Sequence, residues 1–414
     1  MRISAALMRN AEAAVNELLR FAAPADQVMS AYFRKNRNLG QQDRAFVAET
    51  AFAVLRRKRS LESAAGSADP SALVVAALVR VLGFSGRSLD GIADHDLLAR
   101  LRSASKDLPD AVRADLPDWL WQRLESQHGR DEALRIAQGL LNPAPLDLRA
   151  NLARTTQEQV LSRLTQDGIE ATPTRYSPAG ARLAGKPAIN NHALFLDGLI
   201  EVQDEGSQLL AWLVAPRRGE MIADYCAGAG GKTLALAMLM RGSGRIYAMD
   251  VSAKRLAALG PRAARAQVNN IHSLALSGDN DARAKRLAGK LERVLVDAPC
   301  SGFGTLRRNP DLKWRHGPTA IEELAPKQAR ILQAAARLVK NGGRLVYATC
   351  SILQEENEAI VDAFQRSAPE FKPLSCAALL AAQKIPLDTG ERLRLWPHVH
   401  GTDGFFAAAF ERAS

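Results

Sequence analysis

The chain has 414 residues, enough for about three domains at roughly 150 residues each, and its 47% hydrophobic content excludes a disordered, collagenous or disulfide-stapled scaffold. A net charge of +11 and a pI near 9.7 draw the protein towards polyanions, with nucleic acid first among them.

Residues 1–140 carry Ala, Leu, Arg and Glu at helical spacing and little that reads as strand, so an all-α domain is expected there. The apolar run 72–79 ends at Arg80, far short of the roughly 20 residues that span a bilayer. Residues 3–8 are too short for a signal-peptide core, so a cytoplasmic location without a membrane partner is expected. Between Arg34 and Arg59 lie eight basic residues (Arg34, Lys35, Arg37, Arg44, Arg56, Arg57, Lys58, Arg59) against Asp43 and Glu49. For any one of them a solvated helix face is explanation enough; the cluster as a whole points to RNA phosphate.

Asn142-Pro-Ala-Pro145 breaks the helical pattern. Residues 141–208 then read as a small α+β, ferredoxin- or RRM-like module, with strands at 146–150, 169–173 and 199–203 and a helix at 156–167. From 209 to 414 strands and helices alternate: strands at 221–226, 245–250, 271–276, 293–297 and 344–349, helices from 231, at 253–267 and at 321–339, then a late strand pair at 393–396 and 405–410. Such alternation makes an α/β fold, a parallel sheet covered by helices.

Asp224-Tyr-Cys-Ala-Gly-Ala-Gly-Gly-Lys-Thr233 sits where the first of these strands turns into a helix, where glycines let a ligand approach the backbone. A P-loop needs Gly at the place of Cys226, and the dinucleotide fingerprint needs Gly at the place of Thr233, so both fail. Asp250 ends the second strand 19 residues after Gly231, where doubly wound folds place the carboxylate that binds ribose hydroxyls. Asp279 follows the third strand and is a candidate acceptor for an adenine amino group. With Asp224 and Asp297, acids thus stand at four strand ends; each alone is explained as a helix N-cap, but together they favour adenosine. Without a phosphate loop, S-adenosylmethionine is the expected cofactor, held by Cys226, Ala227, Gly228, Ala229, Gly230, Gly231, Lys232, Asp250, Asp279 and Asp297.

Val296-Asp-Ala-Pro-Cys-Ser-Gly302 and Tyr347-Ala-Thr-Cys-Ser351 bring two thiols to neighbouring strand ends on the ligand side. A buried, inert cysteine is the usual case, but two in polar turns beside a cofactor crevice point to chemistry. Carbon 5 of cytosine is a poor nucleophile, and a thiolate adding at carbon 6 turns the ring into an enamine that attacks a methyl sulfonium. An acid near ring nitrogen 3, here Asp297, would stabilise the developing charge, and a base for the carbon-5 proton gives the second thiol a role. The four cysteines, Cys226, Cys300, Cys350 and Cys376, lie 74, 50 and 26 residues apart with no Cys-x-x-Cys pair, so no metal and no disulfide framework are expected.

These motifs, with Arg307-Arg-Asn-Pro-Asp-Leu-Lys-Trp314 and Glu355-Glu-Asn357, resemble the RNA (cytosine-5) methyltransferase family of the bacterial Sun or RsmB type. The resemblance runs from about 140 to 414 and takes in Val202-Gln-Asp-Glu-Gly-Ser-Gln208 and Asp403-Gly-Phe-Phe406. It implies that Cys350 is the nucleophile, that Cys300 assists product release, and that the cofactor loop is Cys226 to Lys232. Asp43-Arg44 with Val54-Leu-Arg-Arg57 resembles the NusB-like helical domain of bacterial rRNA members. Two residues depart from the family pattern: Ala229 replaces a common Pro, and Phe303 stands where a small residue usually follows Ser-Gly, next to the base pocket. The reading favours a monomer acting on RNA, 16S rRNA ahead of tRNA. A tRNA cytosine-5 methyltransferase or a non-catalytic RNA-binding assembly factor are the alternatives.

Overall fold

The computed structural model describes residues 3–89, 91–105 and 107–413. The chain forms two compact units, Met1–Pro143 with Thr305–Thr319, and Ala144–Gly304 with Ala320–Ser414.

The first unit is helical throughout its described residues. Its first helix, Ala5–Leu18, starts where the Ser4 side chain accepts from the Leu7 amide, and buries Leu7, Met8, Ala11, Ala14, Val15 and Leu18 along one stripe. The apolar run near residue 75 is the helix Pro70–Arg80, capped by Asp69 and buried along every residue from Ala72 to Leu78. A helix apolar all round belongs inside a core, and this one does. No described helix is long and apolar enough to cross a membrane.

Thr305–Thr319 groups with these helices although the sequence pattern puts it inside the 209–414 domain. The last carbonyls of the helix Gln41–Arg56 lack intrahelical donors. Trp314 Nε1 donates to the Leu55 carbonyl at 2.7 Å and Lys313 Nζ to that of Arg56 at 2.8 Å. Burial, opposed by Asp115 and reinforced by Arg56 and Arg57, lowers Lys313 to about 7.

The basic cluster is divided by its packing. Arg56 donates to the Phe52 and Arg307 carbonyls, Lys58 pairs with Glu62 at 2.7 Å, and Arg59 pairs with Asp118 at 2.7 Å. Arg34, Lys35 and Arg37 are exposed.

In the second unit, β1 (Leu146–Ala150), β2 (Ala171–Pro173), β3 (Gly180–Leu183) and β4 (Ile200–Val202) make an antiparallel sheet in the order β2-β3-β1-β4. The helix Gln157–Gln166 closes over it from a Thr156/Gln159 capping box and buries Val160 and Leu164.

The larger sheet holds β5 (Met221–Asp224), β6 (Arg245–Asp250), β7 (Ile271–Ala275), β8 (Leu291–Asp297), β9 (Val339–Thr349), β10 (Phe371–Leu374), β11 (Leu393–Leu395) and β12 (Phe405–Arg412). Its order is β10-β12-β9-β8-β5-β6-β7, with β11 paired to β12. β9-β8-β5-β6-β7 are parallel and β12 runs antiparallel to β9. Along β12, Phe406, Ala408 and Phe410 enter one core, and Phe405, Ala407 and Ala409 the other, so both faces are covered. This is a Rossmann-like, doubly wound sheet. The strand order reverses between β5 and β8, where doubly wound sheets open their ligand crevice. The helix expected at 253–267 is two helices, Ala253–Ala257 and Leu259–Arg265, because Pro261 has no N–H for the Ala257 carbonyl.

Candidate active site

The loop from β5 into the helix Gly231–Met240 turns on two left-handed glycines, Gly228 (φ 54°) and Gly230 (φ 83°). At Gly230 the left-handed backbone would strain any side chain, and a Cβ there would press on Leu259 Cδ1 at 2.2 Å. The Gly228 amide donates to Asp250 Oδ2 at 2.8 Å and the Ser252 amide to Asp250 Oδ1 at 2.7 Å, which fixes the carboxylate at the end of β6. From the other side, Arg262 donates to the Ala229 carbonyl at 2.6 Å and the buried Arg149 of β1 to that of Gly231 at 3.0 Å. The small α+β module thereby braces the loop directly.

Beneath the loop, Asp224 Oδ2 accepts the Thr233 hydroxyl at 2.7 Å, while Oδ1 is buried with no hydrogen-bond partner among the described residues. Burial, opposed by Thr233 and aided by the nearby Asp297, raises Asp224 to about 7. The half-buried Cys226 thiol is pushed well up by burial and by the surrounding acids, and so stays protonated. Asp279 lies past β7, 3.5 Å from Arg330 Nε, with its side chain 36% exposed.

Lys232, in the first turn of the same helix, donates to Asp297 Oδ2 at 2.7 Å and lies 5.7 Å from the centre of the Phe405 ring. Burial opposes its charge most strongly, but Asp297, joined by Cys350 and Asp224, holds the ammonium above its ordinary value. At the ends of the paired strands β8 and β9, Cys300 Sγ and Cys350 Sγ stand 3.4 Å apart. The Gly304 amide donates to the Cys350 carbonyl at 2.8 Å, and a Cβ on Gly304 would meet the Gly404 carbonyl oxygen at 2.1 Å. That close approach ties the Asp403-Gly404 turn to both thiol loops. The Cys300 thiol is raised well above its usual range by its hydrogen bond with Cys350, by burial and by the charges of Cys350 and Glu356. Phe303 is wholly buried, so its ring fills core volume instead of open pocket space. Cys376 is buried elsewhere in the sheet's packing, its thiol pushed up to about 11 by burial.

Residues 211–411 match the family described as 16S rRNA methyltransferase RsmB/F, and residues 116–190 match the ferredoxin-like domain of RsmF/B-like methyltransferases. A probable ribosomal RNA small subunit methyltransferase B of Bacillus subtilis is 33% identical over 309 residues, 73% of this chain and 67% of its own length. Another, from Synechocystis, is 36% identical over 299 residues, 72% of this chain and 67% of its own. The chain belongs to the RsmB/F methyltransferase family. The crystal structure of a methyltransferase homologue from Pyrococcus horikoshii agrees, with a TM-score of 0.63 at 29% identity over 73% of this chain and 97% of the other. The resemblance carried by Asp297-Ala-Pro-Cys300 and Thr349-Cys-Ser351 is thus borne out at family level.

The structure brings Cys226 to Lys232, Asp250, Asp297, Cys300 and Cys350 to the carboxyl ends of neighbouring strands of this RsmB/F sheet, whereas Asp279 stands in a partly exposed turn with Arg330. Sequence reasoning missed Arg149 and Arg262, which brace the loop from Cys226 to Lys232. It also missed Thr233 as the partner of Asp224, although its place nine residues on in the same motif was a usable signal.

Proposed function

We propose that this protein transfers a methyl group from S-adenosylmethionine to carbon 5 of a cytosine in RNA, with 16S rRNA as the substrate class. The observation that carries the reading is the pair of thiols 3.4 Å apart at the ends of β8 and β9, beside the Asp297 that ends β8 and pairs with Lys232. The names of the small-subunit relatives favour rRNA over tRNA.

The residues present fit the cofactor. Asp250 presents a fixed carboxylate suited to ribose hydroxyls, the Gly228–Gly230 backbone leaves the loop bare, and the unpartnered Asp224 Oδ1 offers negative charge to a cation. When bound, S-adenosylmethionine supplies an electrophilic methyl group on a positively charged sulfur.

Cys350 would attack carbon 6 as the thiolate, forming the S–C6 bond and moving the C5=C6 electron pair to carbon 5. Lys232 and Asp297 together set the charge beside the ring: the ammonium balances the electron density that develops, and its hydrogen bond orients the carboxyl group. Once the methyl is on carbon 5, a solvent water takes the carbon-5 proton, the C–H electron pair re-forms the C5=C6 bond, and the S–C6 pair leaves on the Cys350 sulfur, restoring the aromatic ring. Cys300 is held as a thiol, which suits it to donate to the departing Cys350 sulfur more than to act as the base for carbon 5.

Labelled RNA on a denaturing gel tests the assignment. Cys350→Ala should give neither methyl transfer nor a covalent complex, and Cys300→Ala should accumulate a protein–RNA adduct. Full activity in both would remove covalent catalysis. Bisulfite sequencing of rRNA from a strain lacking the protein should show one cytosine losing protection; an unchanged pattern would favour the non-catalytic assembly factor.

A further inference from the structure

Glu356 belongs to the Glu355-Glu-Asn357 segment after Cys350 and is fully buried; apart from its charge acting on Cys300, it has been given no role above. Its Oε1 accepts from the Ser301 amide at 2.8 Å and from Gln328 Nε2 at 2.9 Å. Oε2 accepts the Ser301 hydroxyl at 2.5 Å and also the Ser351 hydroxyl. Ser301 directly follows Cys300, and Ser351 directly follows Cys350. A single carboxylate therefore grips the neighbour of each thiol.

The grip is reinforced at both ends. Gln328 Nε2 also donates to the Pro299 carbonyl at 2.9 Å, on the far side of Cys300. The backbone carbonyl of Glu356 accepts the Tyr347 hydroxyl at 2.7 Å, and Asn357 accepts the Thr349 hydroxyl at 2.5 Å and donates to the Ser351 carbonyl at 3.1 Å, so Cys350 is bracketed as well. An apolar side chain would fill this volume without the cost of burying a carboxylate. What the carboxylate adds is direction: four donors from two loops and one helix converge on two oxygens.

We propose that Glu356 is a positioning residue that locks the Cys300 and Cys350 loops in register, so that the two thiols face each other. The inference rests on the two-thiol reading given above.

The test uses the full chain and two readouts. Diamide oxidises a close thiol pair to a disulfide, each thiol giving up its hydrogen as the N=N bond is reduced to a hydrazine; peptide mapping then reports the Cys300–Cys350 link without reference to methylation. Glu356→Ala should slow this cross-link several-fold and lower kcat about a hundredfold, the cost of roughly an ångström of misplacement. The KM for RNA and the cofactor affinity should stay close to the parent's. Glu356→Gln should recover most of both readouts, because its amide oxygen can replace Oε1 while its NH2 donates to the two serine hydroxyls. Should Glu356→Ala fail to fold, the Ser301→Ala, Ser351→Ala double variant removes the hydroxyl donors alone and should lose part of each readout.

Parent-like cross-linking and kcat in Glu356→Ala, or in the double variant if that is the one that folds, would overturn the proposal. So would Glu356→Gln as impaired as Glu356→Ala, or a parent whose thiols do not cross-link. Loss of cross-linking in Glu356→Ala, with full activity in both single cysteine variants, would overturn the two-thiol reading instead.

Discussion

At the scale of single residues, the site is governed by where buried charge is balanced. Asp250 is balanced by two backbone amides, and each of its oxygens keeps a lone pair for a ribose hydroxyl. Asp250→Ala should weaken S-adenosylmethionine binding by about 1.5–3 kcal/mol, the value of a hydrogen bond to a charged group; calorimetry giving the parent's affinity would end the ribose assignment. Asp224 is balanced by the Thr233 hydroxyl and, more weakly, by the Lys232 charge, and its carboxyl group titrates at about 7 instead of 3.8. An acid raised by folding contributes stability that is whole below its unfolded value and lost as the pH climbs through the folded one. The free protein should accordingly lose thermal stability from this group between about pH 4 and pH 7. A cationic cofactor reverses the preference by favouring the ionised form. The rise in Tm on adding S-adenosylmethionine should then be larger at about pH 8 than at about pH 6. Asp224→Asn should abolish that difference, and a pH-independent shift in the parent would detach Asp224 from the cofactor.

At the scale of elements, the strands with a clear apolar pattern were the legible ones. β6 falls at the residues expected and β8 only starts two residues earlier, because strands buried in a covered sheet carry continuous apolar residues, while β1, also where expected, alternates Leu146, Leu148 and Ala150 with Asp147 and Arg149. β3 was not read because Gly180-Ala-Arg-Leu183 is short and lies between prolines, and its pairing to β1 is set by residues far along the chain. β10 was missed for the same reason, with Pro373 inside a four-residue strand at the sheet edge. The thiol loops were legible because their chemistry demands particular residues; Glu356, which serves them through hydrogen bonds, stood in the Glu355-Glu-Asn357 motif, but its residue type did not show what it holds. Residues 305–319 show the limit most plainly, since the sequence marks them as a motif without saying which unit they join. Their tie to the helix Gln41–Arg56 can be tested with Trp314→Phe, which keeps a ring but loses the indole N–H that caps the Leu55 carbonyl. The variant should lose about 0.5–1.5 kcal/mol in denaturant unfolding of the helical unit. No loss would mean that water replaces the cap without cost.

At the scale of the whole molecule, an excess of +11 charges explains attraction to RNA, but not which cations meet phosphate. Packing makes that division. Arg56 is spent on the Phe52 and Arg307 carbonyls, and burial, with Arg57 and Arg307 nearby, lowers it to about 10. Lys58 and Arg59 are partly compensated by Glu62 and Asp118. Arg34, Lys35 and Arg37 stand exposed around the end of the helix Ala25–Lys35. If the helical unit binds RNA through this end, replacing those three by Gln should lower the slope of log affinity against log salt by roughly 0.7–0.9 for each phosphate no longer neutralised. Arg56→Gln should leave the slope unchanged and lower stability instead, because the carbonyls it holds would lose their donor. The two variants thus move different observables. A slope that falls with Arg56→Gln and is unaltered by the triple replacement would place the RNA-binding surface on the other end of the cluster, at Arg56 to Arg59.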